Sequence, residues 1–199
     1  IFSLTVQPGW NSSIFATYFI IAGLFSGVGV IIITMYTVRR IYKLDKYLRK
    51  VHFIGAGLVL LVLSLLFGYF TFSEYFPRWY SHKIYDINLL SSLFDRYFWE
   101  FIFANYIGVL LPIVILFFKK FRKIKLITFA AVVAVLGLWM NRYLIVVPTL
   151  ENPYLPIQDT RPEFIYYTST WIEWSLSLAG IAAFLLLISL IVKFVPIIP

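Results

Sequence analysis

IFATYFIIAGLFSGVGVIIITMYTV, Ile14 to Val38, runs for 25 residues without a charge. At about 1.5 Å per residue, a helix of that length exceeds the ~30 Å of bilayer hydrocarbon. Arg39-Arg40 ends the run abruptly, and Trp10 before it stands where interfacial aromatics collect. Gly23, Ser26, Gly27 and Gly29 form a strip of small residues, a face on which a neighbouring helix can pack closely. The stretch reads as a transmembrane helix entered through Trp10-Asn11-Ser12-Ser13, with Ser12 or Ser13 as its cap. A buried helix of a soluble protein is the alternative, and the further runs of the same kind argue against it.

Those runs are predicted at roughly 51–76, 97–118, 126–147 and 171–194, the first helix taking 14–38. The 199 residues are 61% hydrophobic and 13% charged, with a mean hydropathy of +0.88. A soluble domain carries about twice that share of charge. The class is all-α: a polytopic helical membrane protein with about five transmembrane helices. A net charge of +8 does not imply nucleic acid here, because most basic residues sit in two short runs between apolar segments. The absence of cysteine excludes a disulfide, a thiolate metal site and a cysteine-held iron–sulfur cluster within this sequence. His52 and His82 are too few for a haem or a conventional zinc site.

Charge sets the orientation. Residues 39–50 carry a net +5, and the turn 119–125 has five positive charges and no negative one. Residues 77–96 carry +1, and 148–170, with four prolines, carry −2. The positive-inside rule puts the first two loops in the cytoplasm and the other two outside. The segment then starts outside and ends inside near Lys193. It begins at Ile1 with no signal-peptide pattern, which reads as part of a longer chain. Residues 88–94 have room for a short interfacial helix, Pro112 should kink the third span, and Thr170 with Glu173 has capping-box spacing.

With that topology Glu74, Arg78, Glu100, Arg142, Glu151 and Glu173 fall at one depth, near the outer mouth of the bundle. Charges there must pair or face water. They are either structural ion pairs or members of a proton route or quinone rim. Arg142 is expected to be held by a carboxylate, Glu173 or Glu100 first and Glu74 next. Asn105 and Asn141 are the strong uncharged polar groups, and His52 is an interfacial histidine at the cytoplasmic mouth. Loop 148–170, with Tyr154, Phe164, Tyr166 and Tyr167 as anchors, reads as a docking platform. No phosphate loop, hydrolytic triad or helical histidine pair is present.

Several segments together resemble the second half of the NrfD/polysulfide-reductase membrane subunits, closest to the quinol-binding ones of bacterial alternative complex III. They are Pro8-Gly9-Trp10-Asn11-Ser12-Ser13-Ile14-Phe15, Tyr18-Phe19, Phe25-Ser26-Gly27, Glu74-Tyr75-Phe76, Trp79-Tyr80-Ser81, Asn141-Arg142-Tyr143 and Thr170-Trp171-Ile172-Glu173-Trp174-Ser175. The resemblance implies a ten-span subunit, of which this is the C-terminal half: a four-helix bundle plus one additional helix, in one membrane domain over 1–199. It implies menaquinol oxidation in a bacterial inner membrane. Iron–sulfur clusters and haems c would be borne by an extracytoplasmic iron–sulfur subunit and a multihaem cytochrome c. The N-terminal half and a second related membrane subunit complete the expected partners. Glu74, Arg78, Glu100, Asn141, Arg142 and Glu173 become polar residues of a possible proton route, although the inner half of the segment is very apolar. A non-redox transporter half or an assembly scaffold is the alternative.

Overall fold

The computed structural model describes Trp10, residues 12–152 and residues 170–194. They form helices, with no strand among the described residues. Helix α1 is Phe15–Ile41, α2 Lys50–Ser81, α3 Ile84–Asp95, α4 Phe98–Phe117, α5 Ile124–Glu151 and α6 Trp171–Phe194. All but α3 are long and apolar enough to cross a membrane, as the sequence predicts, and the chain is an all-α integral membrane protein. It divides into two compact units, Ile1–Ile157 and Gln158–Pro199, each described by itself.

In the first unit α1, α2, α4 and α5 pack together as a bundle. Their buried stripes repeat every seven residues, two helical turns, which keeps one side of each helix inward. On α1 the stripe is Tyr18, Phe25 and Ile32; on α2 it is Phe53, Leu60, Phe67 and Glu74. On α5 it is Ile127, Ala134 and Asn141, beside Ala130 and Ala131. Lipid is as apolar as these side chains, so the stripes stabilise by close packing instead of water exclusion. The closest backbone approach joins α4 to α5: a Cβ added at Gly108 would lie 2.7 Å from the Gly137 Cα. On α1 the tight glycine is Gly29, where an added Cβ would meet Val135 at 2.7 Å. Gly23 and Gly27, the expected packing face with Ser26, have no atom within 4 Å of such a Cβ among the described residues.

Three local departures from expectation have backbone causes. Helix α1 begins at Phe15 with no side-chain cap; Ser12 accepts the Ile14 N–H at 3.2 Å instead. Helices α2 and α5 run through Pro77 and Pro148, to Ser81 and Glu151, where proline was expected to stop them. Past each proline another bond holds the turn: Arg78 pairs back to Glu74, and the Asn152 amide donates to the Pro148 carbonyl at 2.8 Å. The segment expected as a loop between α2 and α4 is therefore mostly helical, with α3 longer than the short helix expected there. Within α4, Ile102–Leu110 is π-helical, immediately before buried Pro112. A proline lacks the N–H and crowds the carbonyl four residues back, Gly108 here, and wider winding is the chain's response.

In the second unit, α6 is opened as its spacing predicts, the Glu173 carboxylate accepting the Thr170 N–H at 2.7 Å. The docking candidates Tyr154, Phe164, Tyr166 and Tyr167 lie outside the described residues.

Candidate functional site

Each seven-residue stripe carries one polar residue near the bundle end opposite the basic loops. Tyr18, Glu74 and Asn141 thereby share a layer between α1, α2 and α5. The Tyr18 hydroxyl donates to Asn141 Oδ1 at 2.9 Å, and the Thr71 side chain lies within hydrogen-bonding reach of the same phenol. The Tyr18 ring stacks on Phe67 with centroids 5.0 Å apart, which fixes the hydroxyl's aim. Asn141 is 1% exposed, and its Nδ2 has no hydrogen-bond partner among the described residues.

Glu74 is 5% exposed. One carboxylate oxygen takes the Ser12 hydroxyl at 2.7 Å, and the other takes the Arg78 guanidinium one turn on. Ser12 is brought there by Trp10, whose indole N–H donates to the Ile145 carbonyl of α5 at 2.8 Å. Trp10 and Ser12 thus form a strap over the carboxylate. A cavity of about 20 Å³ lies between Glu74, Arg78, Tyr18, Tyr75 and Thr149, room for one water. The carboxylate thus has one cation, one hydroxyl and a water-sized space beside it.

Beside this layer, on the other face of Tyr75, an apolar groove of about 590 Å³ runs between α2, α3 and α4. Asn105 stands in its wall, its amide donating to the Phe101 carbonyl at 3.2 Å. The Asn105 Oδ1 is buried and has no donor among the described residues.

The other expected site residues separate by position. Arg142, one residue past Asn141, turns away from the layer and lies over the Phe19 ring, 3.7 Å from its centroid. It was expected on a carboxylate; no ion pair to it is formed among the described residues, and Glu74 is already held by Arg78. An aromatic face stabilises a guanidinium by about 0.5–2 kcal/mol, so the cation is accommodated without an acid. Glu173 belongs to the second unit. Glu100 is half-buried in the first turn of α4, among the acids that bear on Tyr143. Glu151 pairs with Arg96 at 3.6 Å, and that carboxylate adds to burial in pushing the neighbouring Tyr97 phenol up. His52, at the basic end, accepts the Arg49 N–H on Nδ1 at 3.2 Å and so caps α2. Tyr18, Thr71, Tyr75 and Ser12 are the site residues that charge-based reading missed; the seven-residue spacing from Phe25 and Phe67 marks Tyr18 and Glu74 as inward-facing.

The fold and this layer define a polytopic α-helical membrane protein with a polar end to its bundle. Residues 1–152 match the family model described as polysulphide reductase, NrfD, and the chain belongs to that family. It is also similar to the Hdr-like menaquinol oxidoreductase integral membrane subunit of Archaeoglobus fulgidus, with 26% identity over 204 residues. That match covers 96% of this chain and 50% of the relative, so the chain spans about half the length of the curated relative it matches.

Proposed function

We propose that this chain is part of the membrane subunit of a quinol-oxidising respiratory complex of the cytoplasmic membrane. In this reading menaquinol gives its electrons to an extracytoplasmic iron–sulfur and cytochrome partner. Family membership and the relative's menaquinol oxidoreductase name support it, and the observation that carries it is the buried Glu74 with its cation, strap and water-sized cavity. Oxidising a quinol releases protons, and a buried carboxylate beside a water-sized space is a place in the bundle to receive them. With no cysteine and only two histidines, one at each end of α2, the chain offers no donor set for an iron–sulfur cluster or haem. Those cofactors are assigned to partner subunits.

The positive-inside rule puts the Glu74 layer at the outer end and the two basic loops in the cytoplasm. Protons released there have a short way out, through Glu74 and past Arg78. A strain lacking this chain, complemented with wild type or Glu74→Gln, tests the reading. The amide keeps the size and the Ser12 contact while losing the charge. Deletion is expected to abolish menaquinol oxidation by membranes. The Glu74→Gln complex should assemble and release protons at least severalfold more slowly. Unaltered menaquinol oxidation in the deletion strain would sink the proposal, and unchanged proton release in an intact Glu74→Gln complex would remove the proton route.

A further inference from the structure

The basic end of the bundle takes no part in the Glu74 layer, and most of its charge is unanswered within the described residues. Two connections meet there. A Cβ added at Gly57, early in α2, would lie 3.2 Å from Ile127 at the start of α5 and 3.3 Å from Leu116 at the end of α4. The Arg39 guanidinium at the end of α1 reaches the Phe53 ring of α2, 5.8 Å from its centroid. The four helix ends are thus packed together, and segments 39–50 and 119–125 share one face.

Segment 39–50 has six lysines and arginines and segment 119–125 has five, against one acid, Asp45. Asp45 is taken by Arg39 at 2.6 Å, and Arg122 donates to the Leu116 and Phe117 carbonyls that close α4. Lys43, Lys46, Lys50, Lys119, Lys120 and Lys123 are exposed, and no ion pair to them is formed among the described residues. Helix electrostatics does not account for such charge. The starts of α2 and α5 have no acid in the first turn, although the positive end of a helix dipole favours one, and Lys50 and Lys125 stand there instead. The same face is aromatic: Tyr42 and Tyr47 on one connection and Phe117, Phe118 and Phe121 on the other are exposed. Rings at the end of a span suit the layer between headgroups and acyl chains, and lysine stems reach from that layer to the phosphates.

We propose that this face binds anionic phospholipid headgroups of the adjoining leaflet, the ammonium groups on the phosphates and the rings in the acyl boundary beneath. A zwitterionic headgroup carries its own cation and leaves the excess positive charge uncompensated. An acidic protein surface would match the lysines and offer nothing to the exposed Phe117 and Phe118. Anionic lipid answers both. The positive-inside rule concerns insertion, whereas this binding belongs to the folded protein, and it depends neither on the quinol reading nor on which leaflet the face adjoins.

Photolabelling of the purified complex in lipid nanodiscs tests this, with one photoreactive acyl chain carried by phosphatidylglycerol or by phosphatidylcholine. Peptides containing Tyr42, Tyr47, Phe118 or Phe121 should take at least about fivefold more label from the anionic lipid, the weight of one lysine near a charged membrane surface. The preference should fall toward parity between about 0.05 and 0.5 M salt, as the screening length shortens. Glutamine at Lys119, Lys120 and Lys123 together should lower it severalfold at the Phe118 and Phe121 peptides, while arginine at the same three positions should keep it. Lys83→Gln, at the opposite end, should leave it unchanged. Equal labelling by the two lipids, a preference indifferent to salt, or one unmoved by the glutamine changes would overturn the proposal. Two other occupants have their own signatures. Loss of the preference in millimolar inorganic phosphate at constant ionic strength would show a free-anion site, and peptides reached by neither lipid would show that protein covers the face. Either result also overturns it. If the glutamine variant fails to assemble, the salt series on the wild type decides by itself.

Discussion

Tyr18 and Asn141 show what one hydrogen bond is worth inside an apolar bundle. The pair spans α1 and α5 at 2.9 Å, with both residues essentially inaccessible. Removing the donor alone, Tyr18→Phe, leaves an acceptor that neither protein nor lipid can satisfy, at a cost of about 1–3 kcal/mol. Removing both, Tyr18→Phe with Asn141→Leu, exchanges the bond for apolar contact and also removes the unpartnered Nδ2. The double variant should recover most of the single variant's loss. Thermal unfolding of the purified complex in detergent reads this directly, and additive losses would show that the bond is not the reason for the destabilisation. At this scale the sequence was half legible. Glu74, Arg78 and Asn141 stand out because polar side chains are conspicuous in apolar runs. The Phe19 ring under Arg142 escapes charge counting, which does not include an aromatic face as a place for a cation. Adjacent residues on a helix point about 100° apart, so Asn141 on Tyr18 and Arg142 on Phe19 are one packing decision made twice.

Helices were legible as spans and illegible at their irregularities. An apolar run long enough to cross the bilayer leaves the backbone no alternative to helix, which is why all five appear. The same constraint overrides proline. With no water to take freed carbonyls, α2 and α5 continue past Pro77 and Pro148, and α4 winds more widely before Pro112. Glycine in a helix is equally ambiguous in sequence, marking either a contact or open space. Gly23 and Gly27, spaced for packing, border open space in this unit, while Gly108 and Gly137, on different helices, meet backbone to backbone. No spacing rule within one helix reveals a pair that exists only across two. Gly108→Ala should therefore destabilise by roughly 1–3 kcal/mol or prevent assembly, because the clashing atom is the Gly137 Cα and cannot rotate away. Gly23→Ala should leave the first unit unharmed or stabilise it by about 0.5–1 kcal/mol through helix propensity. Comparing complex yield and melting temperature for the two variants checks the assignment, and equal losses would show that a helix outside this unit packs on Gly23.

For the whole molecule, orientation decides whether the Glu74 layer opens to the outside or to the cytoplasm. The argument is electrostatic: the basic residues of 39–50 and 119–125 gather at one end of the bundle, and residues 77–96 at the other carry a net charge of only +1. Some of the basic charge also has a local task. Arg122 donates to the Leu116 carbonyl at 2.8 Å and so closes α4, and Arg39 pairs with Asp45 at 2.6 Å. Lys43 and Lys120 are exposed, as is Lys83 at the opposite end just before α3, and these are the informative positions. Because the sequence has no cysteine, each can be replaced singly by cysteine with no background. In intact cells a membrane-impermeant maleimide should label Lys83→Cys, and should label Lys43→Cys and Lys120→Cys only after permeabilisation. Labelling of either basic-loop position in intact cells, with Lys83→Cys protected, would invert the chain. The polar layer would then open to the cytoplasm, and the proposed release of protons to the outside would be lost.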